Sequence, residues 1–233
     1  MTPTRQPPMI NAPWPVAVFA LLLVVAHLVR ILLPDMMQNV TFYYGALFPE
    51  RFWASAESAP LTGLPAYPNL AEAILPMIAS AFIHSDWFHV ILNAAFLVAL
   101  AKPLHELFRR IWPVREPAVS LLLLGLFLFS QVAASLVYLG ANYPDGGPAV
   151  GASGGISGLL AAVLLVREGP DRWLLSRRFL VTSALFVVAN ALFAVIGPSL
   201  LGANIAWQAH VGGYLGGAAF MRAVLWRMQA RAA

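Results

Sequence analysis

The sequence predicts an all-α membrane protein, built as a bundle of six transmembrane helices with both termini in the cytoplasm. Hydrophobic residues make up 60% of the 233 residues and charged residues only 10%, a composition far from that of soluble domains. Mean hydropathy is +0.76. The apolar residues also gather into six runs, most of them close to the roughly 20 residues needed to cross a bilayer.

The six predicted spans leave little of the chain for anything else. They cover residues 14–33, 87–101 with an extension to 107, 118–140, 153–166, 179–196 and 206–225. The fourth is short, so it must begin below the membrane surface or thin the bilayer locally. We therefore expect a single membrane domain over residues 14–228, between a short cytoplasmic N-terminus (1–13) and a cytoplasmic tail (229–233). The first run is too long for a signal-peptide core.

Basic residues set the predicted orientation. Twelve of the fourteen Lys and Arg residues lie before span one, between spans two and three, between spans four and five, or after span six. Only Arg30 and Arg51 fall on the other side, and the positive-inside rule then places both termini in the cytoplasm. The short N-terminus and six-span layout favour a bacterial inner membrane, with the site described below facing the periplasm. No basic run interleaved with aromatic residues indicates nucleic acid as a partner.

Three connections are predicted on the outer side of the membrane. The loop over residues 34–72 is long and rich in aromatic residues, which favour the membrane interface. The connections at 138–150 and 197–206 are rich in glycine and proline. Arg30 is expected to extend its head group to the outer interface, with His27 as its polar neighbour one turn earlier.

Span four opens with the small residues Gly151-Ala152-Ser153-Gly154-Gly155 and continues to Gly158. Ser153 would lie at a helix N-terminus, where unpaired N–H groups and the positive end of the helix dipole suit a developing oxyanion. The other interpretation is that GxxxG-type spacing only lets two membrane helices pack closely. The segment also fits the G-x-S-x-G elbow of α/β-hydrolases, but that motif needs a preceding strand, which this composition excludes.

Polar residues from three separate segments converge at one depth. His210 lies one turn into span six, while His84, His89 and Asn93 lie at the outer start of span two. His89 and Asn93 are four residues apart and share a helix face. His84 is assigned to the preceding loop, because Ser85 and Asp86 resemble a helix start. Polar groups inside membrane spans generally pair or act, which favours a reactive site over chance.

The residue types at this depth indicate nucleophilic catalysis. Spans three to six contain no Asp or Glu, so a Ser153–His210 dyad is predicted rather than a triad. His210 would take the serine proton and later return it to the leaving amine. His89 and Asn93 can donate hydrogen bonds to an oxyanion. Gly213 and Gly217 keep one face of span six small, so that it can approach the glycine face of span four.

With these residues in place, the chain resembles the rhomboid family of intramembrane serine proteases over about residues 75–217. The resemblance rests on three motifs in the family's order: Gly151-Ala152-Ser153-Gly154, Ala209-His210-Val211-Gly212-Gly213, and the H-x4-H-x3-N element formed by His84, His89 and Asn93. It implies a six-helix rhomboid-like bundle with a water-filled cavity open to the outside. It also implies cleavage of single-span membrane proteins near the outer end of their helix, without a cofactor or metal.

Nine residues make up the predicted site. The resemblance implies that Ser153 and His210 form the catalytic dyad and that the Ser153 N–H joins His89 and Asn93 as an oxyanion donor. Gly151 belongs with the oxyanion and substrate-binding set; the residues with structural roles near the site are His84, Gly154, Gly213 and Gly217.

The sequence departs from the family pattern in two places. Many members have Trp-Arg where this chain has Leu75-Pro76, which leaves the anchoring of the long outer loop open. Some members carry a Tyr four residues after the serine that stacks on the histidine, and here that position is Ser157. Trp207 or Phe220 is expected to pack against His210 instead.

Other functions are weighed against protease activity. A catalytically silent relative that binds or escorts membrane clients is the main alternative. A metalloenzyme using His84, His89 and His210 is disfavoured by their spacing and by the lack of acidic ligands, and a transporter by the lack of intramembrane charges. The remaining polar residues of the spans are interpreted as interhelical hydrogen-bonding groups; they are Ser130, Gln131, Ser135 and Asn190.

Overall fold

The chain folds as a bundle of α-helices. A computed structural model describes residues 12–54, 65–111, 115–168, 174–201 and 205–232, and these contain nine α-helices, one 3-10 turn and no strand. The helices are α1 (Trp14–Leu32), α2 (Asp35–Gly45), α3 (Pro49–Trp53), α4 (Leu70–Ala79), α5 (Trp87–Ile111), α6 (Glu116–Ala141), α7 (Ser153–Val166), α8 (Arg177–Leu201) and α9 (Trp207–Ala232). The 3-10 turn, Ser80–Phe82, follows α4 directly.

Each of the six predicted spans falls on one helix, and the predicted all-α class is confirmed. Four helices are long and apolar enough to cross a membrane, namely α1, α5, α6 and α8. Helix α7 has only 14 residues, as the length of its apolar run predicts. Helix α9 is long but less apolar, because its first turns carry Gln208, His210 and several glycines.

The boundaries differ from the prediction in two connections. Helix α8 continues through Pro198 to Leu201, so the connection predicted to begin at residue 197 begins later. A proline near a helix end removes one backbone hydrogen bond and leaves the last turn in place. The loop predicted over residues 34–72 contains α2, α3 and the start of α4. Residues 55–64 lie outside the described part of the chain, as do residues 1–11 of the predicted N-terminal segment 1–13 and residue 233 of the predicted tail 229–233.

Helices α6, α7 and α9 form the centre of the bundle. The contact between α7 and α9 requires glycine on both helices. A Cβ atom on Gly213 would overlap the backbone of Gly154, and a Cβ atom on Gly217 would overlap the backbone of Gly158. Without side chains in the way, the two backbones approach closely. This contact fixes how far the first turn of α9 lies from the first turn of α7.

Helix α8 lies at the edge of the bundle and packs mainly on α9. Over residues 177–199, where the structure describes the burial of α8, only Phe179, Asn190 and Gly197 are buried. A surface of exposed Leu, Val and Phe residues is what lipid contact requires of a helix with so little protein cover. Among the described side chains of α8, Asn190 is therefore the buried polar one.

The connection between α1 and α4 is held by a buried arginine. Arg51 is 2% exposed, and its guanidinium lies over the rings of Tyr43 and Tyr67, at 3.9 and 4.2 Å from their centroids. The same group donates to the backbone oxygens of Tyr43 at 2.9 Å and Pro65 at 3.0 Å. Buried charge is costly unless it is paired in this way, so Arg51 ties the loop together from within.

Two further contacts dock this connection on the bundle. The indole Nε1 of Trp53 donates to the Leu139 carbonyl near the end of α6, at 2.8 Å. Leu47 and Ala149 exchange backbone hydrogen bonds of 3.0 and 2.9 Å as an isolated antiparallel bridge. The bridge connects the loop to the segment that leads into α7.

Candidate active site

Ser153 is the first residue of α7. The first hydrogen bond within that helix runs from the Ile156 N–H to the Ala152 carbonyl, at 3.0 Å, so the N–H groups of Ser153, Gly154 and Gly155 have no acceptor inside the helix. The Gly155 N–H instead donates to Gln131 Oε1 of α6, at 2.9 Å. Ser153 therefore sits among backbone donors at the positive end of a helix.

His210 is brought to Ser153 by the glycine contact between α7 and α9. Its Nε2 lies 2.8 Å from Ser153 Oγ. Its other ring nitrogen, Nδ1, lies 2.6 Å from Asn190 Oδ1 of α8. The Asn190 Nδ2 donates to the Phe186 carbonyl one turn earlier, at 2.8 Å. Three helices thus contribute to one line of hydrogen bonds: Ser153, His210 and Asn190.

Asn190 forms an interhelical hydrogen bond, as the sequence predicts, but the sequence does not identify His210 as its partner. For the place beside His210 the sequence suggests Trp207 or Phe220. Phe220 instead pairs with Phe129, with ring centroids 5.7 Å apart, and it lies ten residues beyond His210, about 15 Å along the helix. The available signal was a lone amide in the apolar run 179–196, since such groups need a partner in a membrane.

His89, Asn93 and Gly151 meet beside the loop that precedes Ser153. Gly151 has φ +110°, a conformation that favours glycine. A Cβ atom there would lie 2.7 Å from His89 Nε2 and 3.7 Å from Asn93 Nδ2, so no larger residue fits. The Gly151 N–H donates to the Ser80 carbonyl at 2.8 Å, and Asn93 Nδ2 donates to the His89 carbonyl at 3.1 Å.

Asp86 directly precedes α5 and binds the backbone of His89. Its Oδ1 accepts the His89 N–H at 2.9 Å, which is the bond of an N-terminal cap. The Ser85 hydroxyl donates to the other carboxylate oxygen at 2.6 Å, and Ser85 Oγ lies 3.1 Å from His89 Nδ1. The Ser85 bond, followed by the His89 N–H, lowers the pKa of Asp86 and keeps the carboxylate ionised.

His84 is fully buried in the connection before α5. Its carbonyl accepts a hydrogen bond from Arg30 Nη2 at 2.9 Å, so Arg30 is held by the protein rather than extending freely to the interface. Neither ring nitrogen of His84 has a partner among the described residues. Burial, followed by the nearby His89, lowers its pKa to about 3, and the ring is therefore neutral. The structural role of His84 stays a prediction.

A small cavity opens beside Ser153. Its wall includes Leu47 of the outer connection, Ser80 before α5, Gln131 and Tyr138 of α6, and Ala206 before α9. The rest of its lining is mixed, with the polar side chains of Ser135 and Ser153 beside several alanines. Its volume of about 20 Å³ is large enough for a water molecule beside the serine hydroxyl, but not for a peptide side chain.

These features define a class of protein: a helical membrane protein with a serine at a helix N-terminus, hydrogen-bonded to a histidine of the neighbouring helix. The model of the Rhomboid domain matches residues 71–227 of the chain. Because the match covers well over half of the 233 residues, the chain belongs to the rhomboid family. It is an integral, multi-pass membrane protein of a family that consists mainly of intramembrane serine proteases. No curated protein matches the sequence.

Proposed function

We propose that the protein is an intramembrane serine endopeptidase with Ser153 as nucleophile and His210 as base. Its substrates are single-span membrane proteins, cut near the outer end of their transmembrane helix. The observation that carries the proposal is the 2.8 Å distance between Ser153 Oγ and His210 Nε2 at the N-terminus of α7. This is the geometry that proton transfer between a nucleophile and its base requires.

The reaction follows from the two side chains. His210 Nε2 takes the Ser153 hydroxyl proton as Oγ attacks the carbonyl carbon of the scissile bond. The tetrahedral intermediate then collapses, the C–N bond breaks, and His210 gives the proton to the leaving amine. A water molecule, deprotonated by the same nitrogen, hydrolyses the acyl-enzyme and restores Ser153.

The negative oxygen of the intermediate needs donors that are already in position. The Ser153 N–H is free of the helix hydrogen-bond ladder, and the side chains of His89 and Asn93 lie against Gly151, two residues before the serine. These three groups are the proposed oxyanion donors. His89 donates through Nε2 only when that nitrogen carries a proton. Nδ1 of the neutral ring is then an acceptor, so the proposal requires the Ser85 hydroxyl to turn from Asp86 to His89 Nδ1, which lies 3.1 Å away.

The proposed substrate preference follows from helix chemistry. A peptide bond inside a helix is covered by i to i+4 hydrogen bonds, so a substrate must unwind before a serine can attack it. Glycine and proline lower the cost of unwinding. In this proposal the site faces the periplasm of a bacterial inner membrane, because most of the basic residues lie on the opposite side of the predicted bundle.

The first test is labelling of the detergent-solubilised protein with a fluorophosphonate probe. Wild-type protein should label, and both Ser153→Ala and His210→Ala should abolish labelling. Ser157→Ala is the matched control: Ser157 lies on the next turn of α7 and donates only to the Ser153 carbonyl, at 2.8 Å, so this variant should label like the wild type. Folded wild-type protein that neither labels nor cleaves a single-span substrate in liposomes would favour the silent, client-binding alternative.

A further inference from the structure

Asn190 occupies the position next to His210 where a charged third residue would lie in a triad. Its Oδ1 lies 2.6 Å from His210 Nδ1, and the side chain is 9% exposed. Spans three to six contain no Asp or Glu, so no carboxylate from these spans can take that place. We infer that Asn190 is a positioning residue that fixes the tautomer and the ring orientation of His210; the inference rests on the proposed function.

The orientation of the Asn190 amide determines which of its atoms faces His210. Its NH2 group donates to the Phe186 carbonyl at 2.8 Å, which turns Oδ1 toward the imidazole. The opposite orientation would place two oxygen atoms, Asn190 Oδ1 and the Phe186 carbonyl, against each other without a proton between them. The backbone of α8 therefore decides that an acceptor faces Nδ1.

An acceptor at Nδ1 decides the protonation of the whole ring. Nδ1 must carry the proton to donate to Asn190, and a neutral imidazole has only one N–H. Nε2 is then a lone pair directed at Ser153 Oγ, at 2.8 Å, which is the form that accepts the serine proton. In the other tautomer Nε2–H would donate to the serine, and the base would be blocked.

The same hydrogen bond holds the ring in place. Ser157 lies one turn after Ser153, but its hydroxyl is bound to the Ser153 carbonyl and gives His210 no support. Asn190 restrains the imidazole from the side opposite Ser153. When His210 takes the serine proton, the dipole of the amide oxygen also stabilises the imidazolium that forms.

The test compares variants of Asn190 with a change that removes a different hydrogen bond between α8 and α9. Asn190→Leu removes the acceptor, and Asn190→Asp restores an acceptor oxygen. Tyr214→Phe is the matched control, because Tyr214 Oη and Ser183 Oγ form a 2.9 Å contact between the same two helices one turn beyond His210. We expect Asn190→Leu to lower kcat and the rate of fluorophosphonate labelling roughly 10- to 100-fold with KM unchanged.

We also expect Asn190→Asp to recover most of the activity and Tyr214→Phe to turn over substrate at nearly the wild-type rate. Wild-type rates in Asn190→Leu would overturn the inference, as would an equal loss in Tyr214→Phe, which would mean that Asn190 only joins the helices. Failure of the proposed function has a different signature, since wild-type protein would then not label at all.

A second measurement does not depend on activity or on the folding of an Asn190 variant. Nitrogen-15 NMR of histidine-labelled wild-type protein distinguishes the two neutral tautomers, and the His210→Ala spectrum identifies the His210 signals among the five histidines. We expect the Nδ1–H tautomer for His210. The Nε2–H tautomer would overturn the inference even if every Asn190 variant failed to fold.

Discussion

Two histidines near the same end of the bundle have opposite surroundings. His210 uses both ring nitrogens, with Ser153 at 2.8 Å on one side and Asn190 at 2.6 Å on the other. The ring of His84 has no hydrogen-bond partner among the described residues, and it is the backbone carbonyl of His84 that is used, by Arg30. Both belong to polar motifs of the sequence, yet only one is arranged to move a proton.

In the proposed function, hydrogen-bond partners rather than burial distinguish the histidine that transfers a proton from the one that does not. An imidazole transfers a proton between a donor and an acceptor only if one nitrogen faces the reacting group and the other is held in a defined state. His84 meets neither condition, and its depressed pKa keeps it neutral. Four predictions test this comparison, from the largest expected effect to the smallest.

Gly213→Val should make His210 resemble His84 without changing either histidine. The new side chain would overlap the Gly154 backbone, push α9 away from α7 and separate Nε2 from Ser153. We expect a loss of kcat/KM of at least about 10⁴-fold, approaching removal of the base itself. Gly140→Ala is the control, because a Cβ atom there meets nothing within 4 Å. Activity of folded Gly213→Val near the wild-type level would contradict the proposed role of this contact.

His89→Ala should lower activity by less than Gly213→Val does. One ring nitrogen of His89 faces Ser85 Oγ at 3.1 Å, and the other lies against Gly151 next to the proposed oxyanion position. Loss of an oxyanion donor costs about 10²–10³-fold in kcat, and steady-state cleavage in liposomes measures it. An unchanged kcat would remove His89 from the oxyanion set and leave Asn93 and the Ser153 N–H.

His84 should make stability, rather than catalysis, depend on pH. Its pKa falls from 6.5 to about 3 on folding, so between these values the unfolded chain binds a proton that the folded protein does not. Stability is therefore complete above about pH 6.5 and is lost as the pH falls toward 3, by about 1.4 kcal/mol per pH unit.

Thermal unfolding in detergent at pH 7.5 and pH 5 measures this effect. The wild type should lose about 2 kcal/mol more than His84→Phe over that interval, because phenylalanine fills a similar volume without titrating. Equal pH dependence in the two proteins would show that His84 does not contribute.

Arg30→Met should have the smallest effect. It removes the hydrogen bond to the His84 carbonyl but retains an apolar stem along α1, so we expect a loss of about 0.5–1.5 kcal/mol in stability. The matched control is Arg110→Met, at an exposed position, which should change the melting temperature little. A similar loss of stability in both variants would mean that the hydrogen bond from Arg30 to the His84 carbonyl does not stabilise the protein.

Much of the fold could be predicted from the chain because a membrane imposes simple rules. Every span must be apolar and helical, so the runs of Leu, Val and Ala located α1, α5, α6, α7, α8 and α9. What failed was local: Pro198 did not end α8, and the aromatic loop formed short helices. Those outcomes depend on packing against neighbours, which residue type alone does not report.

The anchoring of the outer connection shows the same limit. The sequence has Leu75-Pro76 where many relatives have Trp-Arg, and this left the attachment of the loop open. The structure supplies Arg51 between Tyr43 and Tyr67, with Trp53 bound to the Leu139 carbonyl. These groups are distant from one another or from their partners along the chain, so no short motif could reveal them.

The sequence by itself determined the class of the protein and the residue types of its candidate site. Spacing of apolar residues fixed the helices, and small residues around Ser153 and His210 marked the segments where two backbones can meet. Only the tertiary structure decided that Asn190 faces His210, because the contact joins two helices whose relative rotation depends on the packing of the whole bundle. A hydrogen bond needs atoms placed within a few tenths of an ångström, and sequence periodicity does not reach that precision.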